Sequence, residues 1–391
     1  MRFFTAITGL LTLSLAGTAL AAPAPPALKS VEKFQGQANG KYIIKLKSGV
    51  SRKGWVSKLK NQKTAVDWAL INGIGAHLDD DELETLRASP DVESIAEDGI
   101  MSIFATATQT NAPWGLQRIS QAGALSNTNT AALTFTYTYD TTAGAGVDIY
   151  IVDTGVLTTH TEFGGRAKWG TSFVGTTTDG HGHGTHCAGT AAGSTYGVAK
   201  KANIIAVQVL DSSGSGATSG IISGLNWVLT QAKASGRPSV VSMSLGGSAS
   251  SSLDSAVASL TAGGVHVVVA AGNSNVDAAN TSPARAPSAI TVAATTIADA
   301  KASYSNYGSI IDVWAPGTNI ISSWIGSSNT ATNSISGTSM ATPHVAGVVA
   351  YLLGKDGSIT PAAMETKIKS LSSKNVLSGV PSGTVNQVVH I

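Results

Sequence analysis

Four short apolar runs constrain this chain more than any other feature. Residues 147–152, 204–210, 240–245 and 265–271 are short, mainly apolar runs, and helical candidates near 183–193, 217–234 and 252–262 separate them. A strand that is apolar on both faces has to be covered on both faces. Such strands alternating with helices indicate an α/β fold, a doubly wound and mainly parallel sheet with helices on both sides. In sheets of this kind ligands bind outside the carboxyl ends of the strands. The polar residues that follow the runs are therefore the place to look for chemistry.

The chain ahead of these runs is built differently. Residues 22–106 carry 11 basic and 11 acidic side chains, whereas the much longer 107–391 carries 13 and 12, with 34 Gly. Two domains with different tasks follow from that contrast. Within 40–104 the alternation of Lys41, Tyr42, Ile43, Ile44, Lys45 and Leu46 reads as a half-buried strand. Asp80, Asp81 and Glu82 load the first turn of a helix reaching Arg87, and a strand resumes from Val92 to Ala96. The polar segment 126–143 reads as a surface loop. At the start, Arg2, the apolar stretch 10–15 and the small-x-small sequence Ala19-Leu20-Ala21 form a secretory signal, so residues 1–21 are expected to be removed on export. No later run of 18 apolar residues predicts a membrane span.

Composition removes further classes. A net charge of +2 without a long basic run argues against a nucleic-acid partner. A single cysteine excludes an intrachain disulfide framework and a cysteine-rich zinc scaffold.

Three Gly-flanked segments carry the chemistry. Ile151-Val152-Asp153-Thr154-Gly155 puts a carboxylate at the end of the first run, Gly182-His183-Gly184-Thr185-His186 opens a helix with an imidazole, and Gly337-Thr338-Ser339-Met340-Ala341 puts a hydroxyl at another helix start. A serine hydroxyl needs a base to take its proton, an imidazole titrates near neutrality, and a buried carboxylate fixes its tautomer. Taken alone, Asp153 is ordinary turn chemistry and Ser339 an ordinary helix N-cap. The order Asp, His, Ser, spaced by 30 and 156 residues, makes the three a set.

These segments resemble the catalytic blocks of the subtilisin family of serine peptidases, in its proteinase K branch. Thr110-Asn111-Ala112-Pro113-Trp114-Gly115-Leu116 is similar to the mature N-terminus of that branch, and residues 40–104 to its I9-type inhibitory propeptide, a small ferredoxin-like domain. The resemblance implies domains at 1–21, 22–106 and 107–391, with self-cleavage near Ala105-Thr106-Ala107. It implies that Asp153 orients, His183 is general base and acid, Ser339 is the nucleophile and Asn273 holds the oxyanion, with no cofactor for catalysis. The mechanism is the one the Ser-His-Asp template describes. Gly214, Ser215 and Gly216 with Ser244, Leu245 and Gly246 resemble two strands that flank an extended polypeptide substrate, whose added strand gains affinity from main-chain hydrogen bonds. Ala270, Ala271 and Gly272 resemble one wall of the pocket for the side chain before the cut. These small walls imply apolar-leaning specificity.

The same resemblance places a structural calcium on the carbonyls of Pro287 and Ala289 and the carboxylate of Asp312, oxygen donors of the kind a hard cation accepts. It implies a monomer whose own propeptide is chaperone and inhibitor, and a buried Cys187 that makes the enzyme sensitive to heavy metals. His181, His183 and His186 imitate a metal cluster but lack the His-Glu-x-x-His pattern, so His186 reads as structural and His181 as an exposed loop residue. Asn280-Thr281-Ser282 is a glycosylation sequon, disfavoured by Pro283. Two rivals remain, a catalytically dead binding protein and an esterase that uses the same machinery.

Overall fold

The computed structural model describes residues 28–34, 38–99 and 106–391. The signal segment and residues 100–105, which include Ala105 of the expected cleavage region, lie outside the described residues. The chain divides into two compact units, with the break at Asp98.

The small unit is a five-stranded sheet with helices. Its strand order is Val31–Glu32, Val92–Gly99, Ala38–Leu46, Gly73–Ala76, Val66–Trp68. Ile44, Leu46, Trp55, Ile74, Leu86, Val92 and Ile95 form its core. The acidic run does what the sequence implies: helix Asp80–Ala88 is opened by a capping box, in which Asp79 accepts from Glu82 N and Glu82 reaches back to Asp79 N.

The large unit is built on a nine-stranded sheet. Its parallel strands are β1 (Asp148–Asp153), β2 (Ala167–Ser172), β3 (Asn203–Gln208), β4 (Ser239–Met243), β5 (His266–Ala270), β6 (Ile290–Thr295) and β7 (Val313–Pro316). They lie side by side in the order β2-β3-β1-β4-β5-β6-β7, and Gln387–Val388 and Ser373–Lys374 complete the edge. From β1 the chain goes to β2 at the edge, comes back to β3 beside β1 and then crosses to β4 on the other side, so β1 ends at the crevice where the strand order reverses.

Alternation along the strands explains the apolar runs. Ile149 and Ile151 of β1 face one side, where helices α1 (His183–Ala192) and α4 (Thr338–Asp356) pack through Ala188, Ala191, Val345 and Val349. Tyr150 and Val152 face the other, against Leu225 and Val228 of α2 (Thr218–Ser235) and Val257 and Leu260 of α3 (Ser251–Ala262). A last helix, α5 (Pro361–Leu371), starts with Thr360 capping Ala363 N and Pro361 at its first position.

One expected loop is a strand. Residues Phe135–Asp140 pair antiparallel with Thr106–Ala112. Phe135 and Tyr137 are buried, while Thr136 and Thr138, which alternate with them, are exposed. This period-two pattern of aromatics among threonines is strand chemistry that the polar average of the segment conceals.

Without disulfides, distant segments are joined by polar pairs. Arg118 is fully buried and donates from Nε to Asp299 Oδ1 at 2.7 Å across 181 residues of sequence. Arg118→Met would leave Asp299 buried without its counter-charge. It should lower the unfolding free energy of the inhibited mature domain by about 3–5 kcal/mol, read from the denaturant midpoint.

Candidate active site

The site is assembled at the carboxyl ends of β1, β4 and β5 and the N-termini of α1 and α4. Asp153, the last residue of β1, is fully buried. Its Oδ1 accepts from Thr154 N at 2.7 Å and meets His183 Nδ1 at 2.8 Å. That contact holds the imidazole with Nε2 left for other work. Burial pushes the His183 pKa down, but the Asp153 carboxylate, with a smaller contribution from Cys187, more than reverses this and leaves it well above the ordinary histidine value.

His183 sits where it does because α1 starts hard against the strand end. Gly184 allows the approach, since a Cβ there would stand 2.1 Å from Gly155 O. Asp179, which the sequence reading passed over, ties the two elements together. Its Oδ1 accepts from Thr154 Oγ1, His181 N and Gly182 N, and its Oδ2 from Thr185 N and Thr185 Oγ1, at 2.6–3.1 Å. Thr154 Oγ1 in turn accepts from Gly184 N at 2.9 Å. A carboxylate just before a helix start is capping chemistry, and that was the available signal.

Ser339 is the second residue of α4. Its Oγ donates to Ser244 O at 3.2 Å, and Ser244 Oγ donates back to Ser339 O at 2.8 Å. The hydroxyl hydrogen is thus directed at Ser244 O. Cys187 links the two groups from below, with Sγ 4.0 Å from His183 Nδ1 and 3.5 Å from Ser339 O. The thiol is buried, and burial raises its pKa.

Asn273 has its amide oriented by Thr338. Oδ1 accepts from Thr338 N at 2.8 Å and from Thr338 Oγ1 at 3.0 Å, which leaves Nδ2 as the free donor beside Gly337 and Ser339. Thr338 Oγ1 also accepts from Gly272 N at 3.1 Å. An internal threonine of the serine block thus fixes the neighbouring donor.

Two concavities meet at Ser244, Leu245 and Gly246. One, of about 740 Å³, also takes in His183, Gly214, Ser215 and Gly216. The other, of about 530 Å³, runs from Ser339 and Asn273 past Ala270 and Gly272 to Val276 and Thr281. Three differences from the sequence reading stand out here. Ala271 does not line the pocket; its side chain is fully buried in a cluster with Trp314 and Ile311, because neighbours along an extended chain point opposite ways. His181 is not a free loop residue but lines the cleft, its ring 6.1 Å from that of His183. Asp277 and Asn280, both exposed, join the lining of the smaller cavity, and Asp277 Oδ1 caps the turn Ala278–Asn280 by accepting from Ala279 N. Asn306 shapes that loop from behind, accepting from Ser274 N and Val276 N and donating to Ala271 O.

His186 is a structural residue, as expected. Its Nε2 meets Ile320 O at 2.9 Å and burial drives its pKa down to about 3, so it stays neutral. The expected cation ligands lie at the opposite end of the strands, and Asp312 there is paired with Lys369 at 2.6 Å.

The Thr338 contact generates a prediction. With Asn273 as the oxyanion donor that the sequence resemblance implies, Thr338→Val, which removes one of the two donors orienting its amide, should lower kcat on a peptide substrate about ten-fold while KM changes little. Losing the oxyanion donor altogether costs about 10²–10³.

Comparison with known proteins identifies the family. Residues 144–384 match the Subtilase family, and residues 41–104 match Peptidase inhibitor I9. The chain is 49% identical to "Alkaline serine protease ver112" of Corniculantispora psalliotae over 94% of its own length and 95% of that protein. It is 47% identical to "Cuticle-degrading protease" of Metarhizium anisopliae over 97% and 98%. Against "Proteinase R" of Parengyodontium album it is 46% identical over 94% and 96%. A solved "cold adapted subtilisin-like serine proteinase" superposes with a TM-score of 0.65 at 47% identity, covering 72% of this chain and 98% of that one. The chain belongs to the subtilase family of serine peptidases and carries an I9 inhibitor domain ahead of its peptidase domain.

Proposed function

We propose that Asp153, His183 and Ser339 hydrolyse peptide bonds in polypeptides, with Asn273 as oxyanion donor, in a monomeric enzyme exported as a zymogen. The observation that carries this reading is the 2.8 Å contact between His183 Nδ1 and the buried Asp153 carboxylate at the strand-order reversal. Ser339 Oγ turns to His183 Nε2, gives it the proton and bonds to the substrate carbonyl carbon. The carbonyl π electrons move onto oxygen, where Asn273 Nδ2 and Ser339 N receive the negative charge. His183 then passes its proton to the leaving amine as the C–N bond breaks, leaving an acyl-Ser339 ester that water hydrolyses by the same steps.

The two concavities suit an extended peptide. Gly214–Gly216 and Ser244–Gly246 offer main-chain edges, and Ala270, Gly272 and Val276 give the smaller cavity an apolar wall for the side chain before the cut, opposite the polar Asp277 and Asn280. That edge-on cleft favours a peptide over a simple ester, and the occupied catalytic set disfavours a binding-only role. Export is supported by the signal pattern at 1–21, and residues 22–106 form the propeptide that aids folding and inhibits the enzyme until it is removed near Ala105-Thr106-Ala107.

The intact mass of the exported protein tests the scheme. The wild type should lose the 85 residues 22–106 after signal removal, while Ser339→Ala keeps them attached and fails to react with an organophosphonate. Equal clipping of both proteins would show that another protease matures the chain. Loss of neither segment would sink the zymogen scheme.

The acid limb of the pH profile tests the roles of His183 and Asp153. Catalysis needs neutral imidazole, so activity should rise with pH through a midpoint above about 6.5, the unperturbed histidine value. Asp153→Asn removes the charge that raises it. The midpoint should move to lower pH, and kcat should drop by about 10⁴, as in the analogous serine-protease substitution.

A further inference from the structure

The turn that holds Pro287 and Ala289 leads into β6, and Asp312 stands just ahead of β7, at the end of the sheet away from Ser339. A calcium ion on Asp312 would need a carboxylate oxygen free to approach it at about 2.3–2.6 Å, with several more oxygens around it. Both oxygens of Asp312 are engaged. Oδ2 accepts from Thr291 N of β6 at 2.8 Å, and Oδ1 is held by Lys369 Nζ at 2.6 Å. The ammonium reaches in from α5 and is steadied by Glu365 Oε1 at 2.5 Å, one turn back on the same helix. The Asp312 side chain is only 14% exposed and that of Lys369 36%, so the pair is partly shielded from water. A divalent ion bound to Oδ1 would stand within about 4 Å of this ammonium and be repelled by it. The residues present do not fit calcium.

We propose that the Lys369 ammonium is the resident cation of this corner of the fold, doing with a side chain what the resemblance assigns to calcium at Pro287, Ala289 and Asp312. It neutralises a partly shielded carboxylate and fastens α5 to the ends of β6 and β7. The C-terminal edge is tied to the same residue, since Gln387 Nε2 donates to Asp312 O at 2.6 Å. A tethered ammonium is not lost to dilution or to a chelator, whereas the stabilisation by a bound ion falls with the logarithm of its free concentration and vanishes below its Kd. Removing Lys369 alone would leave Asp312 facing Glu365, two carboxylates without a counter-ion. That arrangement would itself recruit calcium.

The experiment uses mature enzyme inactivated with an organophosphonate, so that self-digestion does not interfere, and compares melting temperatures in EDTA and in millimolar calcium. For the wild type, any calcium effect should be the same as for Asp312→Asn. Lys369→Met should melt lower than the wild type in EDTA and recover with calcium, by about 5–8 °C at a hundred-fold excess over its Kd. That recovery should vanish in Lys369→Met/Asp312→Asn, and Lys369→Arg should behave as the wild type. The proposal is overturned if calcium raises the wild-type melting temperature and Asp312→Asn abolishes the rise, or if Lys369→Met melts like the wild type in EDTA. Should Lys369→Met fail to fold, calorimetric calcium titration of the wild type and Asp312→Asn decides: binding lost with Asp312 refutes the proposal, and equal behaviour supports it.

Discussion

A sheet buried on both faces has no room for unpaired polar groups between its layers, so polar chemistry is confined to the strand ends. The groups of the candidate site follow that constraint, although Ser242 inside β4 is buried without a hydrogen-bond partner. Asp153 is the last residue of β1, Ser244 follows β4 and Asn273 follows β5, all at the same edge of the sheet. His183 and Ser339 open α1 and α4, helices that share a core against one face of that sheet. The same packing that buries Ile149, Ile151, Val240 and Val268 therefore brings together groups separated by up to 186 positions in the chain, from Asp153 to Ser339.

Strand ends and helix starts deliver the groups only approximately. Final placement depends on short polar side chains that do no chemistry themselves. Asp179 collects donors from Thr154, His181, Gly182 and Thr185, and so locks the end of β1 to the start of α1. Thr338 does the corresponding work between β5 and α4 by holding the Asn273 amide. Both act through hydrogen bonds in places shielded from water, where such bonds are strong and an unmade one is costly.

Charged side chains take up the role that disulfides play elsewhere. Arg118 reaches Asp299 through the interior, and Arg237 pairs with Asp148 at the start of β1 at 2.7 Å. Lys200 Nζ donates to Ser194 O and Gly197 O at 2.9 and 3.0 Å, closing the loop beyond α1 beneath the ring of Tyr137. Lys369 on Asp312 belongs to the same strategy, a tethered cation inside a cluster of oxygen atoms.

The sequence by itself determined the fold class and offered the proposed catalytic set of Asp153, His183 and Ser339. Two-sided burial leaves near-continuous apolar runs, and a reacting triad needs specific side chains inside short Gly-flanked blocks, so both are written locally. The strand Phe135–Asp140 was legible too, in its alternating aromatics, but was hidden by the polarity of the segment as a whole. Tertiary structure alone decided which partner each polar side chain meets. Nothing near Asp179 announces Thr154, nothing near Asp312 announces Lys369, and the direction of Ala271 depends on where one strand ends. Hydrogen bonds and ion pairs reach only about 3–4 Å, so they are fixed by how distant segments pack and not by their spacing along the chain.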